Sequence, residues 1–263
     1  MEQPEDFKLP GKENKVWQLH KALYSLKQAG LSWWRTMTKS MLALGFKRSK
    51  SDAGIYYYYE KKTKALAIAI VYVDDVCFIG TKGSLLLNEL KQKFIARWKY
   101  RDLGETTELL DMYISHNRKN QKIFIDQYEY LKKVLVHFNV ATNLTHTLLP
   151  SEFSFKPNEK QCDPKFCQKY RQLVGSLMYL MIGLRPDIGF TVVKLAQQIA
   201  NSFNNHYQVG LHLCRYLLTT CRYRLIYNRL SNKSLVAYSN SDWGQDYEHR
   251  KCKGTSRIML SKF

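Results

Sequence analysis

Two adjacent aspartates between two apolar runs constrain this chain more than any other feature of its sequence. Residues 66–71 precede the tetrapeptide Tyr72-Val73-Asp74-Asp75, and residues 76–79 follow it. This arrangement predicts a β-hairpin that carries both carboxylates at its tip. Two ionised carboxylates in contact repel each other unless a cation lies between them. The expected cation is Mg²⁺, which phosphate-processing sites hold with one or two carboxylates and the substrate phosphates.

The acidic pair has a second interpretation, because Asp is common in tight turns that simply face water. The flanking sequence favours the metal site. Residues 66–71 are apolar at nearly every position, which predicts a strand covered on both faces. Residues 80–84 form a turn cluster that leads into an amphipathic segment.

The charge of the chain indicates a polyanionic partner. Its 263 residues include 41 Lys and Arg against 22 Asp and Glu, a formal net charge of +19. General basicity is the alternative, but a surplus of this size usually accompanies nucleic-acid binding. The basic residues are spread along the whole chain, which suits a groove that follows a phosphate backbone. The hydrophobic content of 45% predicts a folded protein.

The sequence argues against membrane insertion. No run reaches the roughly 18 apolar residues of a membrane span, and no N-terminal stretch resembles a signal peptide. The six cysteines form no C-x-x-C pair. Cys162 and Cys167 with His206 or His212 would be zinc ligands of unusual spacing. Reduced thiols in an intracellular protein, cytoplasmic or nuclear, are the preferred interpretation.

The hydrophobic periodicity predicts an α+β chain, because strands and helices alternate irregularly. Predicted helices cover residues 16–28, 31–44, 85–98, 127–138, 170–183, 185–201 and 206–220. Predicted strands cover residues 55–59, 66–71, 76–79, 109–115, 122–126, 224–227 and 234–239, the last two as a closing pair. The sheet around the hairpin is expected to be antiparallel and to pack against helices.

A series of motifs resembles, in order, the reverse transcriptase region of Ty1/copia-type retrotransposon Pol polyproteins. They are MEQPEDF, VWQLHKALYSLKQAG with SWW, SDAG before a tyrosine-rich strand, YVDD, RDLGE, IFIDQYEYLKKVL, YRQLVGSLMYLMIGLRPDIGFTVVKLAQ and HLCRYLLTT. The last part, VAYSNSDWGQD, is similar to the first strands of the ribonuclease H domain that follows in that family. The resemblance covers nearly the whole chain.

The resemblance implies a partial right-hand polymerase with an antiparallel palm sheet that lacks its first strand. Residues 1–142 are expected to form the palm and thumb-like region, and residues 143–169 a linker. Residues 170–232 would form a helical connection, and residues 233–263 a truncated ribonuclease H-like β segment. The implied partner is an RNA or DNA template-primer, and no oligomeric state is predicted.

The family also implies roles for individual residues. Asp74 corresponds to the direct Mg²⁺ ligand and Asp75 to its supporting neighbour, so both are the expected catalytic and metal-binding residues. Tyr72 would pack beneath the primer terminus or the template, with a sheet-filling tyrosine as the alternative. Lys27 and Gln28 lie where the incoming-nucleotide helix of the family begins, with a solvated helix start as the alternative.

Three departures from the family pattern bear on activity. The third metal-binding aspartate of these enzymes precedes the MEQPE-like segment, and the sequence begins at Met1 within that segment. Ser25 stands where the family has a glycine. A serine can adopt fewer backbone conformations than a glycine, so the backbone is more restricted at this position. Asn240 replaces the first catalytic aspartate of ribonuclease H and only Asp242 remains, so a degenerate site is expected there.

The sequence therefore predicts the reverse transcriptase region of a Ty1/copia-type retrotransposon, an RNA-directed DNA polymerase with Mg²⁺ as its cofactor. Without the third carboxylate, low activity of this chain alone is expected. The alternative is a non-catalytic nucleic-acid-binding remnant or a domesticated host protein. Such a protein would bind through its positive charge and through the rings of Trp33, Trp34 and Trp98.

Overall fold

The structure is a computed structural model. It describes residues 1–150, 163–200 and 202–229, and the backbone of residues 236–241 and 254–259. The chain divides into two compact units, Met1–Gly104 and Glu105–Phe263. Each unit has its own hydrophobic core; the first has one antiparallel sheet and the second has two. The α+β class predicted from the sequence is confirmed.

The first unit consists of a four-stranded antiparallel sheet and two helices. Its elements in chain order are α1 (Ala29–Ala43), β1 (Lys47–Arg48), β2 (Ile55–Glu60), β3 (Ala65–Tyr72), β4 (Asp75–Gly80) and α2 (Leu86–Trp98). The strand order in the sheet, β1-β2-β3-β4, follows the chain. The predicted hairpin, the tyrosine-rich strand and these two helices are confirmed.

Strand β3 alternates between a buried and a more exposed face, so the prediction that it is covered on both faces is wrong. Ala67 and Ala69 are fully buried, whereas Leu66, on the other face of the strand, is 38% exposed. The alanines lie in one core with Met41 of α1 and Phe94 of α2. An all-apolar strand is typical of a sheet covered on both sides, but it does not show by itself that the second face is covered.

Helix α1 ends just before a glycine, as the sequence predicts. Gly45 has a φ of 88°, a left-handed conformation that closes a helix C-terminus without strain. Its amide donates to the carbonyl oxygen of Leu42 at 2.9 Å. Phe46 follows at once and is buried, with its ring 6.2 Å from that of Tyr58 and 6.5 Å from that of Phe78. The glycine thus turns the chain directly from the helix into the core of the sheet.

The helix predicted over residues 16–28 is wrong, because this segment has only turns and irregular backbone. Val16 is 68% exposed and Leu23 is 47% exposed, so the periodic apolar side chains do not bury a common face. Ser25 interrupts the segment with a φ of 68°. A short helix without a buried face is only marginally stable in water, which explains why periodicity alone misleads here.

The second unit combines helices with two small antiparallel sheets. Its elements in chain order are β5 (Glu108–Leu109), β6 (Met112–Asn117), β7 (Lys122–Asp126), α3 (Tyr128–His137), α4 (Pro164–Gly183), α5 (Gly189–Gln197), α6 (Asn204–Thr219), β8 (Leu225–Asn228), β9 (Val236–Ser241) and β10 (Gly254–Met259). One sheet has the order β5-β6-β7-β8, and the other pairs β9 with β10. A 3-10 turn over Pro186–Ile188 separates α4 from α5, which confirms the predicted break.

The pairing of β8 corrects the closing pair predicted for residues 224–227 and 234–239. Strand β8 pairs with β7, so that Leu225 lies opposite Ile125 and Ile226 opposite Phe124. Strand β9 pairs with β10 instead. Neighbouring strands in the chain usually pair, but here β7 offers β8 a matching row of apolar side chains from far back in the sequence.

Helices α4, α5 and α6 supply most of the core of the second unit. Leu173, Leu177, Leu195, Leu213 and Leu217 are all fully buried in it. On α4 and on α6 these leucines recur every four residues, the spacing that places side chains on one face of a helix. The helices predicted from the periodicity of this region are therefore confirmed, and their regularly spaced apolar side chains face the core.

Arg185 is buried in the turn between α4 and α5 and ties this turn to the end of α6. Its guanidinium donates to both carboxylate oxygens of Asp187, at 2.9 and 2.8 Å, and to the hydroxyl of Thr220 at 2.6 Å. The rings of Tyr216 and Tyr223 lie 5.7 and 5.3 Å from its central carbon. Burial acts to raise the pKa of Asp187, but the hydrogen bond and the positive charge of Arg185 lower it below its ordinary value.

The cysteines correct one expectation. Cys167 is disulfide-bonded, so the prediction of reduced thiols is wrong for this residue. Cys162, named in the zinc alternative, lies outside the described residues. In the part of the chain that the structure describes, none of the helices combines the length and the apolar character needed to cross a membrane.

Candidate functional site

The two central residues of the β3–β4 hairpin are Val73 and Asp74, and the pair Tyr72–Asp75 closes it. Hairpins with two-residue loops require a positive φ within the loop, a conformation that Gly and Asn adopt easily. Val73 adopts it with a φ of 47°. A β-branched residue in this region costs about 1–2 kcal/mol and persists where the surrounding structure imposes it. The paired strands on both sides therefore hold Asp74 at a defined position at the tip.

Asp74 and Asp75 are both exposed at this tip. Asp75 pairs directly with Tyr72, and directly opposed residues of an antiparallel pair share a face. Among the residues that the structure describes, no Lys or Arg forms an ion pair with either carboxylate. Two carboxylates without a cationic partner are the ligand type that Mg²⁺ selects, so the residues present fit this ion.

A cleft of about 1110 Å³ lies beside the hairpin tip. Residues 19–26, the first turns of α1, Val73, Asp74 and Trp98 line it. Trp33 and Trp34 form the α1 side of its wall. The cleft thus combines flat aromatic surface with one carboxylate at its edge, and its volume exceeds the range of about 300–1,000 Å³ typical of small-ligand pockets.

Two contacts fix the tryptophan rings of the cleft. The indole nitrogen of Trp98 donates to the hydroxyl of Ser40 at 2.8 Å. The guanidinium of Arg48 lies 5.1 Å from the centre of the Trp34 ring. A cation over an aromatic face is attracted by the ring electrons. Helix α1 and strand β1 therefore set the orientation of two rings that the sequence analysis singled out only as stacking candidates.

Tyr100 is a residue near the hairpin that sequence reasoning missed. Burial raises the pKa of its hydroxyl, and the negative charges of Asp74 and Asp75 raise it further. Its ring lies 5.2 Å from that of Phe94 in α2. Lys99 ends α2 in a left-handed conformation, with a φ of 57°, and so redirects the chain at this point. In the sequence, Tyr100 is distinguished only as an aromatic residue close to the end of a predicted helix. This arrangement is common and does not by itself indicate a functional residue.

Ser25 lies in the wall of the cleft with a φ of 68°. This is the position where the resemblance implies a glycine. Because the left-handed region favours glycine, the serine side chain carries a conformational cost of about 1 kcal/mol here. The departure noticed in the sequence therefore corresponds to local backbone strain at the site.

Replacing Ser25 with glycine is expected to raise the free energy of unfolding by about 1 kcal/mol, because glycine adopts a positive φ without a Cβ clash. Urea unfolding followed by tryptophan fluorescence measures the change. The matched control is Ser32→Gly in α1, where glycine is expected to lower stability by about 0.5–1 kcal/mol. An equal loss of stability in both variants would contradict strain at Ser25.

The structure places the remaining predicted site residues as follows. Gln28 lines the cleft, whereas Lys27 is exposed in the preceding turn and is not part of the lining. Tyr72 is 57% exposed beside the tip. Asn240 belongs to strand β9, but its side chain and the whole of Asp242 lie outside the described residues. Their proposed ribonuclease H role stays a prediction.

No third acidic ligand joins the hairpin carboxylates within the described part of the chain. No group of three or more His, Cys, Asp or Glu side chains there is placed to hold a metal ion together. Asp74 and Asp75 are therefore the two residues that could hold Mg²⁺, with its remaining positions left to water or to substrate phosphates.

The hairpin carboxylates and the aromatic cleft together define a site suited to metal-dependent chemistry on a nucleotide. The sequence pattern of the family described as "Reverse transcriptase (RNA-dependent DNA polymerase)" matches residues 1–152, which include every part of this site. The chain belongs to this reverse transcriptase family.

Similar proteins come from plant and yeast transposons. The chain is 31% identical over 258 residues to the retrovirus-related Pol polyprotein from transposon TNT 1-94 of Nicotiana tabacum, a match that covers 95% of the chain. It is 32% identical over 249 residues to that from transposon RE1 of Arabidopsis thaliana, with 94% of the chain covered. It is 28% identical over 250 residues to the putative transposon Ty5-1 protein of Saccharomyces cerevisiae, with 93% of this chain and 78% of that protein covered.

The chain corresponds to a small part of the plant polyproteins. The matches span 19% of the TNT 1-94 polyprotein and 16% of the RE1 polyprotein. The predicted resemblance to copia-type Pol polyproteins is confirmed over most of the chain. No solved structure matches the chain.

Proposed function

We propose that this chain is the polymerase region of a Ty1/copia-type RNA-directed DNA polymerase, with its active site at the β3–β4 hairpin. One observation carries the proposal: Asp74 lies both at the tip of the hairpin and in the wall of a cleft of about 1110 Å³. A carboxylate at that place can act on a phosphate that belongs to a molecule bound within the cleft. The expected partner is a template-primer, supported by the net charge of +19.

Asp74 and Asp75 would hold Mg²⁺ at this site. When bound, Mg²⁺ lowers the pKa of an attacking hydroxyl and stabilises the negative charge that develops on a leaving phosphate group. Asp74 and Asp75 supply the negative charge that retains such a cation, because no described Lys or Arg pairs with them. The pKa of the Tyr100 hydroxyl is raised, chiefly by burial and then by the charges of Asp74 and Asp75, and this neutral hydroxyl can donate a hydrogen bond toward the acidic pair.

The cleft walls would orient the nucleic acid. The rings of Trp33, Trp34 and Trp98 offer flat faces for bases, and Gln28 offers an amide that can both donate and accept hydrogen bonds. Tyr72 is placed beside the tip, where it would contact the primer terminus or the template. Lys27 is exposed next to the cleft and would contribute positive charge rather than a direct contact with its lining.

We further propose low activity of this chain alone. Two carboxylates hold Mg²⁺ weakly, because the ion keeps most of its water when few acidic ligands replace it. The loss of one charged ligand typically removes several kcal/mol of transition-state stabilisation.

The fluorescence of the tryptophans that line the cleft can be used to measure ligand binding. Addition of a deoxynucleoside triphosphate with Mg²⁺ is expected to quench the fluorescence of the three cleft tryptophans. Asp74→Asn is expected to weaken this Mg²⁺-dependent binding about ten- to a hundredfold, because a charged ligand to the cation is lost. The matched control is Asp6→Asn, which removes the same charge from an exposed turn outside the cleft.

Two outcomes of this test would count against the proposed site. The first is nucleotide binding that does not depend on Mg²⁺, and the second is an equal effect of Asp74→Asn and Asp6→Asn. Thermal unfolding of both variants should match that of the unchanged chain, because both carboxylates are exposed. A fold defect would thereby be distinguished from a lost ligand.

A second candidate function is non-catalytic binding of nucleic acid, as a decayed element or a domesticated host protein. The net charge of +19 serves both functions equally. Primer extension on an RNA template with Mg²⁺ or Mn²⁺ separates the two. Template binding without any extension would support the second candidate, and extension that is lost in Asp74→Asn would support the first.

A further inference from the structure

Residues 19–28, called the entry segment below, continue the apolar pattern of helix α1 without being helical. The pattern crosses the start of the helix at intervals of three, four or seven residues, through Leu19, Leu23, Leu26, Trp33, Met37 and Met41. These intervals place side chains on one face of an α-helix. Met37 and Met41 use this face to fill the core of the first unit, whereas Leu19 and Leu23 are 37% and 47% exposed.

The start of α1 at Ala29 has no firm stop signal within the described part of the chain. Gln28 at the N-cap position has a φ of −93° and a ψ of −5°, within the right-handed helical region, and its side chain makes no capping hydrogen bond. The amide of Ala29 donates to the carbonyl oxygen of Leu26 at 2.9 Å, and that of Leu26 to the carbonyl oxygen of Leu23 at 3.4 Å. These bonds have the spacing of a 3-10 turn, which often precedes an α-helix.

Ser25 interrupts this incipient helix. Its φ of 68° is incompatible with an α-helix, in which φ is about −63°. The entry segment contains neither glycine nor proline, so its composition permits a helix throughout. Because a left-handed serine is strained, a return of Ser25 to a helical φ would release that strain. A single backbone position thus separates the irregular form from a continuous helix.

Trp33 connects the apolar face of the entry segment to the cleft. Its ring lines the cleft and also packs against the core of the first unit. If α1 continued through the entry segment, Leu23 and Leu26 would share the face of Trp33, and Lys21 and Gln28 would fall on the opposite face. Such an extension would turn two leucines toward the cleft and two polar side chains toward water.

The empty cleft gives the leucines nothing to pack against. A short helix without a buried face is only marginally stable in water, so the irregular form is favoured in the free chain. A flat ligand between the tryptophan rings and the entry segment would cover Leu23 and Leu26. Burial of apolar surface would then favour the helical form alone, which is the differential interaction that a ligand needs to shift a conformational equilibrium.

We propose that the entry segment is a lid that winds into a continuation of α1 when a ligand occupies the cleft, with Ser25 as its hinge. Ten residues added to the helix extend it by about 15 Å along the cleft wall. The inference rests on the proposed function only for the identity of the ligand, a nucleoside triphosphate with Mg²⁺. The tendency of the entry segment to become helical belongs to the chain itself.

Two substitutions at the hinge are expected to act in opposite directions in the free chain. Ser25→Ala and Ser25→Gly both remove the hydroxyl, so they differ only in backbone preference. Alanine favours the helix, whereas glycine adopts the present positive φ without strain. Cα chemical shifts of residues 19–28, measured by NMR without ligand, should report a helical population that rises about two- to fivefold in Ser25→Ala and falls about fivefold in Ser25→Gly.

Thymidine triphosphate with Mg²⁺ tests the coupling to the cleft. Its addition is expected to slow hydrogen exchange of the amides of residues 20–28 about tenfold, measured by mass spectrometry. The apparent affinity follows the population of the form that binds. Tryptophan quenching should therefore show binding about two- to fivefold tighter in Ser25→Ala and about fivefold weaker in Ser25→Gly.

Ser51 provides the matched control. It is exposed in a turn, does not line the cleft and has no positive φ. Ser51→Ala and Ser51→Gly repeat the same chemical changes away from the hinge. Both should leave the chemical shifts of the entry segment and the nucleotide affinity unchanged.

The lid is overturned if Ser25→Ala and Ser25→Gly give the entry segment the same helical population in the free chain. It is also overturned if thymidine triphosphate quenches the tryptophans while hydrogen exchange of residues 20–28 stays the same. A chain that binds no nucleotide, but in which the two variants shift the helical population in opposite directions, would contradict the proposed function and leave the hinge supported. The two proposals can therefore fail separately.

Discussion

Replacement of Arg185 by alanine is expected to lower the free energy of unfolding of the second unit by about 3 kcal/mol. The change removes a buried guanidinium that makes two hydrogen bonds to the exposed carboxylate of Asp187 and one to the buried carbonyl oxygen of Thr220, and hydrogen bonds to charged groups contribute about 1.5–3 kcal/mol each. Thr220 would lose the donor to its hydroxyl as well. Because the turn between α4 and α5 closes the leucine core, the loss should appear in thermal or urea unfolding followed by circular dichroism.

Two comparisons identify the cause of this loss. Arg185→Lys keeps the positive charge but lacks the planar guanidinium that donates to both carboxylate oxygens, so an intermediate decrease in the free energy of unfolding is expected. Arg222→Ala, at an exposed arginine nearby in the chain, should change stability by no more than about 0.5 kcal/mol. The pKa of Asp187 is lowered in the folded chain, so the stabilisation is present above pH of about 4 and is lost as the pH falls through the lowered pKa. Equal losses in Arg185→Ala and Arg222→Ala would refute the role of the buried guanidinium.

The affinity for an RNA–DNA duplex is expected to fall about a thousandfold between roughly 50 and 200 mM salt. The physical reason is the release of condensed counterions by a protein that neutralises six or so phosphates, which a net charge of +19 readily permits. Little dependence on the base sequence is expected, because phosphate contacts carry no sequence information. A series of fluorescence anisotropy titrations at increasing salt measures the slope.

Charge variants test whether lysines supply these contacts. Lys62→Ala should reduce the slope of log Kd against log salt by about one if Lys62 contacts a phosphate. Asp6→Asn serves as a control that changes charge at an exposed side chain outside the cleft. Binding that is undetectable at low salt, or that is insensitive to salt, would rule out a phosphate-tracking surface.

Much of the hairpin could be predicted from the sequence because its signals are local. Apolar runs on both sides of Asp74 and Asp75 define two strands, and a two-residue loop between them leaves little choice of register. The helix end at Gly45 is local in the same way. Even Ser25 was identifiable, since the resemblance marks that position as a glycine and the structure finds a positive φ there.

The remaining features depend on contacts between distant residues. The cleft exists because residues 19–26 stay irregular and expose their apolar side chains, which a periodicity rule interprets as a helix. The pairing of β8 with β7 joins segments about a hundred residues apart, and neither segment specifies the other. Tyr100 comes near the acidic pair only because Lys99 ends α2 in a left-handed conformation.

The position of β4 has a practical consequence for work with this protein. Among the described strands, β4 pairs with β3 only and is therefore an edge strand with an apolar stretch. Such strands invite pairing with another chain and seed aggregation. Asp75 at its start gives some protection through its charge, but Ile79 is 49% exposed near its end. The substitution Ile79→Lys is therefore expected to improve solubility in recombinant production. At high salt, where the repulsion between positively charged copies is screened, dilute handling is advisable.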